Sequence, residues 1–389
     1  MGRQVGIVGV GQTRHGKRMD VCYPDLVREA VRAVFEDTGL SPKDIDAVVS
    51  GSMPSMMEGV ALTQFYFADA MQAVGKPILK TETCGSTGVS IAQTAYYWVS
   101  SGMADLVLAV GHEKMNEGDS QATMTTVMEP FYQRYFLAGA PGVFSLQSQE
   151  WSVRFNIPAD KVREAAARIS VNHHDSAAND NPYAHLKLKL SMDDVLNAPI
   201  ITYPIRLFDV CPNSDGACAL IFASESKARK LGLPTAWIKG VGYRGEEQFF
   251  GDSDKAVWPS AVEAAKEAYD RAGIRNPRKE LDVAEVYNPF TYQEMLFYEC
   301  FGFCDFGEAP DLVLKGVFSR KGELPICPSG GTLCTNPIGA TGLIRTAEAA
   351  LQVTGRAGPR QVPGAKLALA HAMGGIDQFN GVIILGSEK

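Results

Sequence analysis

The 389-residue sequence predicts an α/β protein made of two duplicated halves with a long inserted segment. Three observations carry this prediction. An amphipathic helix leading through a short loop into an apolar strand occurs twice, at residues 24–51 and 259–288. Both helices stop at a glycine, Gly39 or Gly273, suited to the left-handed position that ends a helix. A Gly-rich turn that opens a helix and leads to another apolar strand also occurs twice, at Cys84–Gly88 and Pro337–Gly342.

The elements follow in order. Val5–Val10 is apolar and reads as the first strand. Its Gly6, Gly9 and Gly11 reverse the spacing of a dinucleotide-binding turn, and the next strand ends at Val49-Ser50-Gly51 without an acid, so a plain glycine turn is expected. The helix from residue 24 has apolar positions at i, i+3, i+4 and i+7, and Ile45–Val49 follows as a strand. After Cys84 come a helix over Val89–Ser101 and a strand over Leu106–Val110 that runs into Gly111-His112. Residues 113–205 have no counterpart in the second half. They carry Phe131, Tyr132, Tyr135, Phe136 and Trp151, and read as a cover over a site or as ordinary core and dimer surface. A charged stretch breaking at Gly/Pro near 225–235 divides the chain into domains 1–228 and 229–389. In the second half, Val283–Val286 runs into Tyr287-Asn288-Pro289-Phe290. A helix over Leu343–Val353 and a strand over Leu367–Ala370, ending at His371, complete the repeat.

Composition narrows the function. Hydrophobic residues at 46% and charged residues at 21% exclude a disordered chain, a collagen-like repeat and a coiled coil. The net charge of -7, with no basic stripe, gives no reason to expect nucleic acid. No apolar run reaches the ~20 residues that cross a bilayer, and no signal-peptide layout opens the chain, so a cytoplasmic protein without membrane association is expected. The eight cysteines form no C-x-x-C pair and read as reduced, mostly buried thiols. Cys300 and Cys304 lie one helical turn apart without a nearby His, so no metal site is expected. His173, His174, Asp175 and His185 lack ligand spacing and are expected to be solvated.

The chemistry-bearing candidates cluster at strand ends and helix starts. Cys84 precedes a helix, where the dipole and free N–H groups favour thiolate, the nucleophilic form; the pattern alone leaves a buried structural thiol equally open. Asn336 sits in the equivalent turn of the second half. His371 ends a strand before Gly374-Gly375, whose amides suit an oxyanion hole, and its symmetry with His112 favours a catalytic reading. Tyr287 ends the neighbouring strand, and open α/β sheets place their sites at carboxyl ends of strands.

These residues resemble the thiolase superfamily over nearly the whole chain. The resemblance rests on the Val5–Thr13 opening, the Cys84 turn, Gly111–Met115, the Asp209–Ala217 stretch and Pro337–Gly342. The archaeal and sterol-carrier-protein-like branch is the nearer type. The resemblance implies a five-layer αβαβα thiolase fold of two similar halves with a loop domain, usually dimeric. It implies thiolytic cleavage of a 3-oxoacyl-CoA, or the reverse Claisen condensation, with CoA as co-substrate and no permanently bound cofactor. Cys84 matches the acylated nucleophile. Asn336 stands where most members have the His of Gly-His-Pro, and His371 matches the second catalytic position, so the resemblance makes His371 the base. Asn336 and Tyr287 would stabilise the enolate, and the Cys84 and Gly375 amides with Asn288 would form the oxyanion hole. The aromatic and Met-rich insertion suits a bulky acyl group, as in a benzoylsuccinyl-CoA thiolase. A small zinc-ribbon/OB-fold partner is implied by the same branch. Tyr287 also resembles thiolase-like retro-aldol lyases of 3-hydroxyacyl-CoA, and the missing Gly-His-Pro leaves a non-catalytic scaffold subunit open.

Overall fold

The computed structural model describes residues 2–53, 57, 59–136, 139–247, 249 and 251–389. The first half contains β1 (Val5–Gln12), α1 (Tyr23–Thr38), β2 (Ala47–Gly51), β3 (Ile78–Lys80), α2 (Thr87–Ser101) and β4 (Leu106–Lys114). Within the inserted segment, α3 (Ala140–Arg154) and α4 (Ala159–Asp180) are the long helices. Then come β5 (Asp215–Ser224), α5 (Glu225–Leu231), β6 (Ala236–Gly245), α6 (Pro259–Ala272), β7 (Val283–Glu285) and α7 (Thr291–Cys300). The chain closes with α8 (Ile338–Val353), β8 (Leu367–Gly374) and β9 (Phe379–Gly386).

The strands form one mixed sheet in the order β3-β2-β4-β5-β1-β6-β9-β8-β7. This order is the duplication made visible: β2-β4-β5-β1 is mirrored by β7-β8-β9-β6. In each half the pair far from the β1–β6 junction, β2–β4 and β8–β7, is parallel, with Val49 opposite Ala109 and Val283 opposite Ala368. The halves meet through two residue pairs of β1 and β6, Gly6–Trp237 and Ile7–Ala236. Helices α1 and α6 cover the outer faces, while α2 and α8 pack on each other and touch strands of both halves. The β1–β6 junction divides the sheet into two halves, with α2 and α8 between them and α1 and α6 outside, the helix, sheet, helices, sheet, helix layering that the sequence resemblance implies.

Local chemistry explains the elements. Gly39 (φ 67) and Gly273 (φ 75) end α1 and α6, their N–H groups donating to Phe35 O and Tyr269 O. Helices α2 and α8 cross backbone against backbone at their first turns. A Cβ on Gly88 would lie 2.2 Å from the Leu343 nitrogen, and one on Gly342 would lie 2.5 Å from the Val89 nitrogen. Helix α2 starts two residues, and α8 five residues, before the apolar pattern suggested, because small residues make up these turns.

The inserted segment decides between two readings of its aromatics and corrects one expectation. Its aromatics do not act together: Phe131, Tyr132 and Tyr135 are exposed, whereas Trp151 is buried and donates its indole N–H to Glu299 at 2.6 Å. Trp151 is therefore core rather than cover. His173 and His174 are not solvated but face the core from α4. His173 Nε2 lies 2.9 Å from both carboxylate oxygens of Glu294, and His174 Nδ1 lies 3.6 Å from Cys334 Sγ. Asp175 alone of that run is exposed, and His185 is half-buried with Nδ1 3.0 Å from Ser214 Oγ.

Candidate active site

A cavity opens where the two halves and the inserted segment meet. The chain ends after β4, β7 and β8 reach it together with the starts of α2 and α8. Its walls are mostly apolar, with Met115, Met124, Met128, Val143 and Phe144 from the insertion and Phe290 and Met373 from the second half. Methionine is a pliable lining, so the cavity suits an apolar group of irregular shape. The insertion thus does cover the site, with methionines rather than with its exposed aromatics.

Cys84 lines this cavity at the start of α2 with φ 57, a left-handed conformation that a non-glycine residue rarely adopts. Its carbonyl accepts from the Thr87 N–H at 3.0 Å, closing the turn that leads into the helix. The thiol is pushed up to about 11 by burial, against backbone hydrogen bonds from Gly375 and Gly85 that pull it down. The helix start therefore does not make a free thiolate here, and the resting sulfur is protonated at neutral pH.

Asn336 lies across the cavity at the start of α8. Its Oδ1 accepts from the Thr341 hydroxyl at 2.8 Å and from the Tyr287 hydroxyl at 3.4 Å. With the oxygen occupied, Nδ2 points to Cys211 Sγ at 3.1 Å. The Tyr287 hydroxyl packs against Gly85: a Cβ there would lie 3.0 Å from it. Burial, and then the thiols of Cys211 and Cys84, hold the phenol protonated well above its ordinary range. Gly375 (φ 70) lines the cavity beside Cys84, its carbonyl 4.0 Å from Sγ.

Two expected site residues lie outside the cavity. His371 is fully buried beneath it. Its Nδ1 accepts from the Tyr287 N–H at 3.3 Å and its Nε2 donates to Asn380 Oδ1 at 3.0 Å. The rings of Phe297 and Phe301 meet it edge-on at 4.4 and 4.7 Å. Burial depresses it to about 3. With both nitrogens bonded and no opening to the cavity, it is a support for the Tyr287 loop rather than a base beside Cys84. The reason is depth along the strand: Met373, two residues nearer the end on the same face of β8, takes the cavity wall. Asn288 is likewise turned away from the oxyanion position. Its Oδ1 accepts from the Thr332 N–H at 2.7 Å, its Nδ2 donates to Glu294, and its N–H donates to Thr332 Oγ1 at 3.3 Å.

Sequence reasoning missed Cys211. It lines the cavity, its N–H donates to Pro289 O at 2.9 Å, and Val210 bridges to Phe290, so it is pinned to the Tyr287 loop. The only sequence signal is its place within the Asp209–Ala217 stretch, ahead of Asp215.

Residues 5–177 match the family described as "Thiolase, N-terminal domain", and residues 245–387 match "Thiolase C-terminal domain-like". The acetyl-CoA acetyltransferase of Methanothermobacter thermautotrophicus is 30% identical over 96% of this chain and 97% of its own length. The chain belongs to the thiolase family. Human sterol carrier protein 2 is 30% identical over 96% of this chain and 70% of its own. The benzoylsuccinyl-CoA thiolase subunit BbsB of Thauera aromatica is 28% identical over 96% and 95%. Among solved structures, the Ltp2-ChsH2(DUF35) aldolase superposes with a TM-score of 0.85 at 24% identity, covering 100% of this chain and 99% of that one. The thiolase family acts on acyl-CoA substrates without a bound cofactor. Among the described residues no helix is long and apolar enough to cross a membrane.

Proposed function

We propose that this chain makes or breaks the bond between C2 and C3 of a CoA thioester with an apolar acyl part, through an acyl-Cys84 intermediate. The observation that carries the reading is Cys84 itself, a cysteine held at φ 57 at a helix start and facing a Met-lined cavity. Such backbone strain persists where the surrounding structure enforces it, and it clusters at reacting groups.

In the cleavage direction the Cys84 sulfur attacks C3 of a 3-oxoacyl-CoA. The C2–C3 bond breaks and the shorter acyl-CoA leaves as its enolate. Tyr287, protonated at neutral pH, donates to the thioester oxygen where charge gathers. Asn336 Nδ2 exchanges a weak N–H···S contact for a charge-assisted bond to the same oxygen. The Cys84 and Gly375 amides hold the tetrahedral oxyanion, where losing one donor costs about 10²–10³ in rate. The proton of the Cys84 thiol ends on C2, and free CoA then takes the acyl group from sulfur. His371 and Asn288 have no direct part.

One observation favours a second reading: no His, Asp or Glu lines the described cavity, while the Tyr287 hydroxyl reaches it. A retro-aldol lyase acting on a 3-hydroxyacyl-CoA would use the same enolate donors and release a ketone or aldehyde without acylating Cys84. The name of the Ltp2-ChsH2(DUF35) aldolase agrees with that chemistry, and that of BbsB with an aromatic acyl group. Both names also speak of a second chain, which supports a small DUF35-type partner, of zinc-ribbon and OB-fold build; the core itself is proposed to be a homodimer. The deciding experiment is intact mass spectrometry after exposure to saturated, 3-oxo and 3-hydroxy acyl-CoA compounds, with peptide mapping. An adduct on Cys84 that CoA discharges, and that Cys84→Ala abolishes, supports acyl transfer. Cleavage of a 3-hydroxyacyl-CoA without adduct, and retained by Cys84→Ala, rejects it in favour of the lyase.

A further inference from the structure

We propose that Cys211 is the proton carrier at C2 of the acyl-CoA, placed there by its seat beside Asn336. This rests only on the part of the proposed function shared by both readings, the formation of an acyl-CoA enolate in this cavity.

Cleavage leaves a carbanion equivalent at C2, and some group must deliver a proton there. Neither histidine close to the site can do so: His371 is buried with both nitrogens bonded, and His185 touches Ser214 behind Asn336. The cavity instead holds two thiols and one phenol with exchangeable protons. Cys84 is committed to carbon–sulfur bond formation. Tyr287 donates towards Asn336 Oδ1, on the oxygen side of the enolate. Cys211 is the thiol left over, and Asn336 Nδ2 points at its sulfur from 3.1 Å. An enolate oxygen bound at Asn336 Nδ2 therefore brings C2, one bond removed from the thioester carbon, towards the Cys211 sulfur. The Cys211 backbone is fixed by its N–H to Pro289 O and by the Val210–Phe290 bridge, so the sulfur cannot swing out with a mobile loop. Burial also pushes the Cys211 thiol up to about 12, so it is protonated when the enolate forms and becomes a strong base once it gives its proton away.

The proton balance closes without an outside reagent. Cys211 S–H gives its proton to C2, making the new C–H bond and leaving a thiolate. The proton that Cys84 loses on attack is relayed to that thiolate and replaces the one spent at C2. Cys84 ends acylated, and Cys211 and Tyr287 end as they began. In the lyase reading the 3-hydroxyl proton enters the same relay in place of that of Cys84.

The test separates proton transfer from the mere holding of Asn336. In D₂O, the enzyme is incubated with a saturated acyl-CoA, and deuterium entering C2 is followed alongside acylation of Cys84. Two variants are compared, Cys211→Ala and Cys211→Ser. Serine keeps an acceptor for Asn336 Nδ2 but is a far poorer proton carrier than a thiol. Both variants are expected to lose C2 exchange by about 10²–10⁴, as for a general acid–base group, with Cys84 acylation falling by less than tenfold. Wild-type exchange in Cys211→Ser overturns the proposal and leaves Cys211 a support for Asn336. Exchange that falls only as far as acylation falls in both variants also overturns it. A wild-type protein that exchanges C2 but never acylates Cys84 rejects the acyl-transfer reading instead, and the two variants still decide the role of Cys211.

Discussion

Replacing His371 separates a support from a base. The imidazole accepts the Tyr287 N–H, donates to Asn380 Oδ1 and lies between two phenylalanine rings. His371→Phe fills a similar volume but strands one buried donor and one buried acceptor. Each stranded group costs about 1–3 kcal/mol, so a loss of about 2–6 kcal/mol is expected, a large share of the 5–15 kcal/mol of an ordinary domain. His371→Gln keeps a donor and an acceptor and should lose about 1–3 kcal/mol. Urea unfolding gives these losses, and Cys84 acylation by mass spectrometry gives the chemistry. Folded His371→Gln is expected to acylate within tenfold of wild type. The reasoning fails if His371→Gln unfolds at the wild-type urea midpoint yet acylates 10³-fold more slowly, because that pattern belongs to a base. The pH dependence has a definite sign. The imidazole titrates near 6.5 in the unfolded chain and at about 3 in the fold, so between those values the unfolded chain binds the extra proton. Its contribution is complete above pH 6.5 and is lost as the pH falls towards 3. His371→Gln should flatten that part of the acid limb; His15 and His112, each held at about 3 by burial, and His174, held at about 4, still contribute to it.

Two further substitutions probe the frame that holds the cavity. Gly88→Ala puts a Cβ onto the α8 backbone and should cost about 1–3 kcal/mol or more in urea unfolding, since neither backbone has slack; an unchanged midpoint would mean that the helices do not cross so closely. Arg345 is buried on α8, paired with Glu285 beneath the Tyr287 loop and attracted by Glu348. Arg345→Met should cost about 3–5 kcal/mol by leaving buried carboxylates uncompensated, and the additional change Glu285→Gln should recover part of that loss.

The duplication was legible because it is written in backbone requirements. Gly39 and Gly273 answer the same helix ending, and Gly88 and Gly342 the same helix crossing, so the repeat survives where side chains diverge. Cys84 and Asn336 were legible for a related reason: both stand just ahead of helices whose starts the glycines mark. Strand ends were harder. Whether a residue at a strand terminus faces a cavity or the core depends on a one-residue register that apolar periodicity cannot resolve. Asn288 fell on the buried side next to Tyr287 on the open one, whereas His371 shares its face with Met373 but lies two residues deeper along the strand. Cys211 was invisible because its importance comes from a contact with Asn336 across 125 residues of sequence.

The symmetry itself tells scaffold from chemistry. Matching Gly88 to Gly342 makes Cys84 and Ile338 equivalent, and both line the cavity. Matching His112 to His371, with the pairings Val49–Ala109 and Val283–Ala368, makes Met53 and Tyr287 equivalent, and these also line it. The pseudo-twofold axis therefore brings the same positions of both halves to one cavity, and each pair holds one polar, reactive side chain and one inert one. His112 and His371 are alike in both halves, both buried and both depressed to about 3. His112 Nδ1 meets the Tyr23 hydroxyl at 2.7 Å as His371 Nε2 meets Asn380 at 3.0 Å, each imidazole held inside its own half. A residue kept in both halves answers a need common to both, which is support for a strand end. A reaction that joins a nucleophile to its proton donors is asymmetric and must use positions where the halves differ. The symmetry of His371 with His112 thus argues for a structural histidine, and the asymmetry of Cys84 with Ile338 and of Tyr287 with Met53 locates the chemistry.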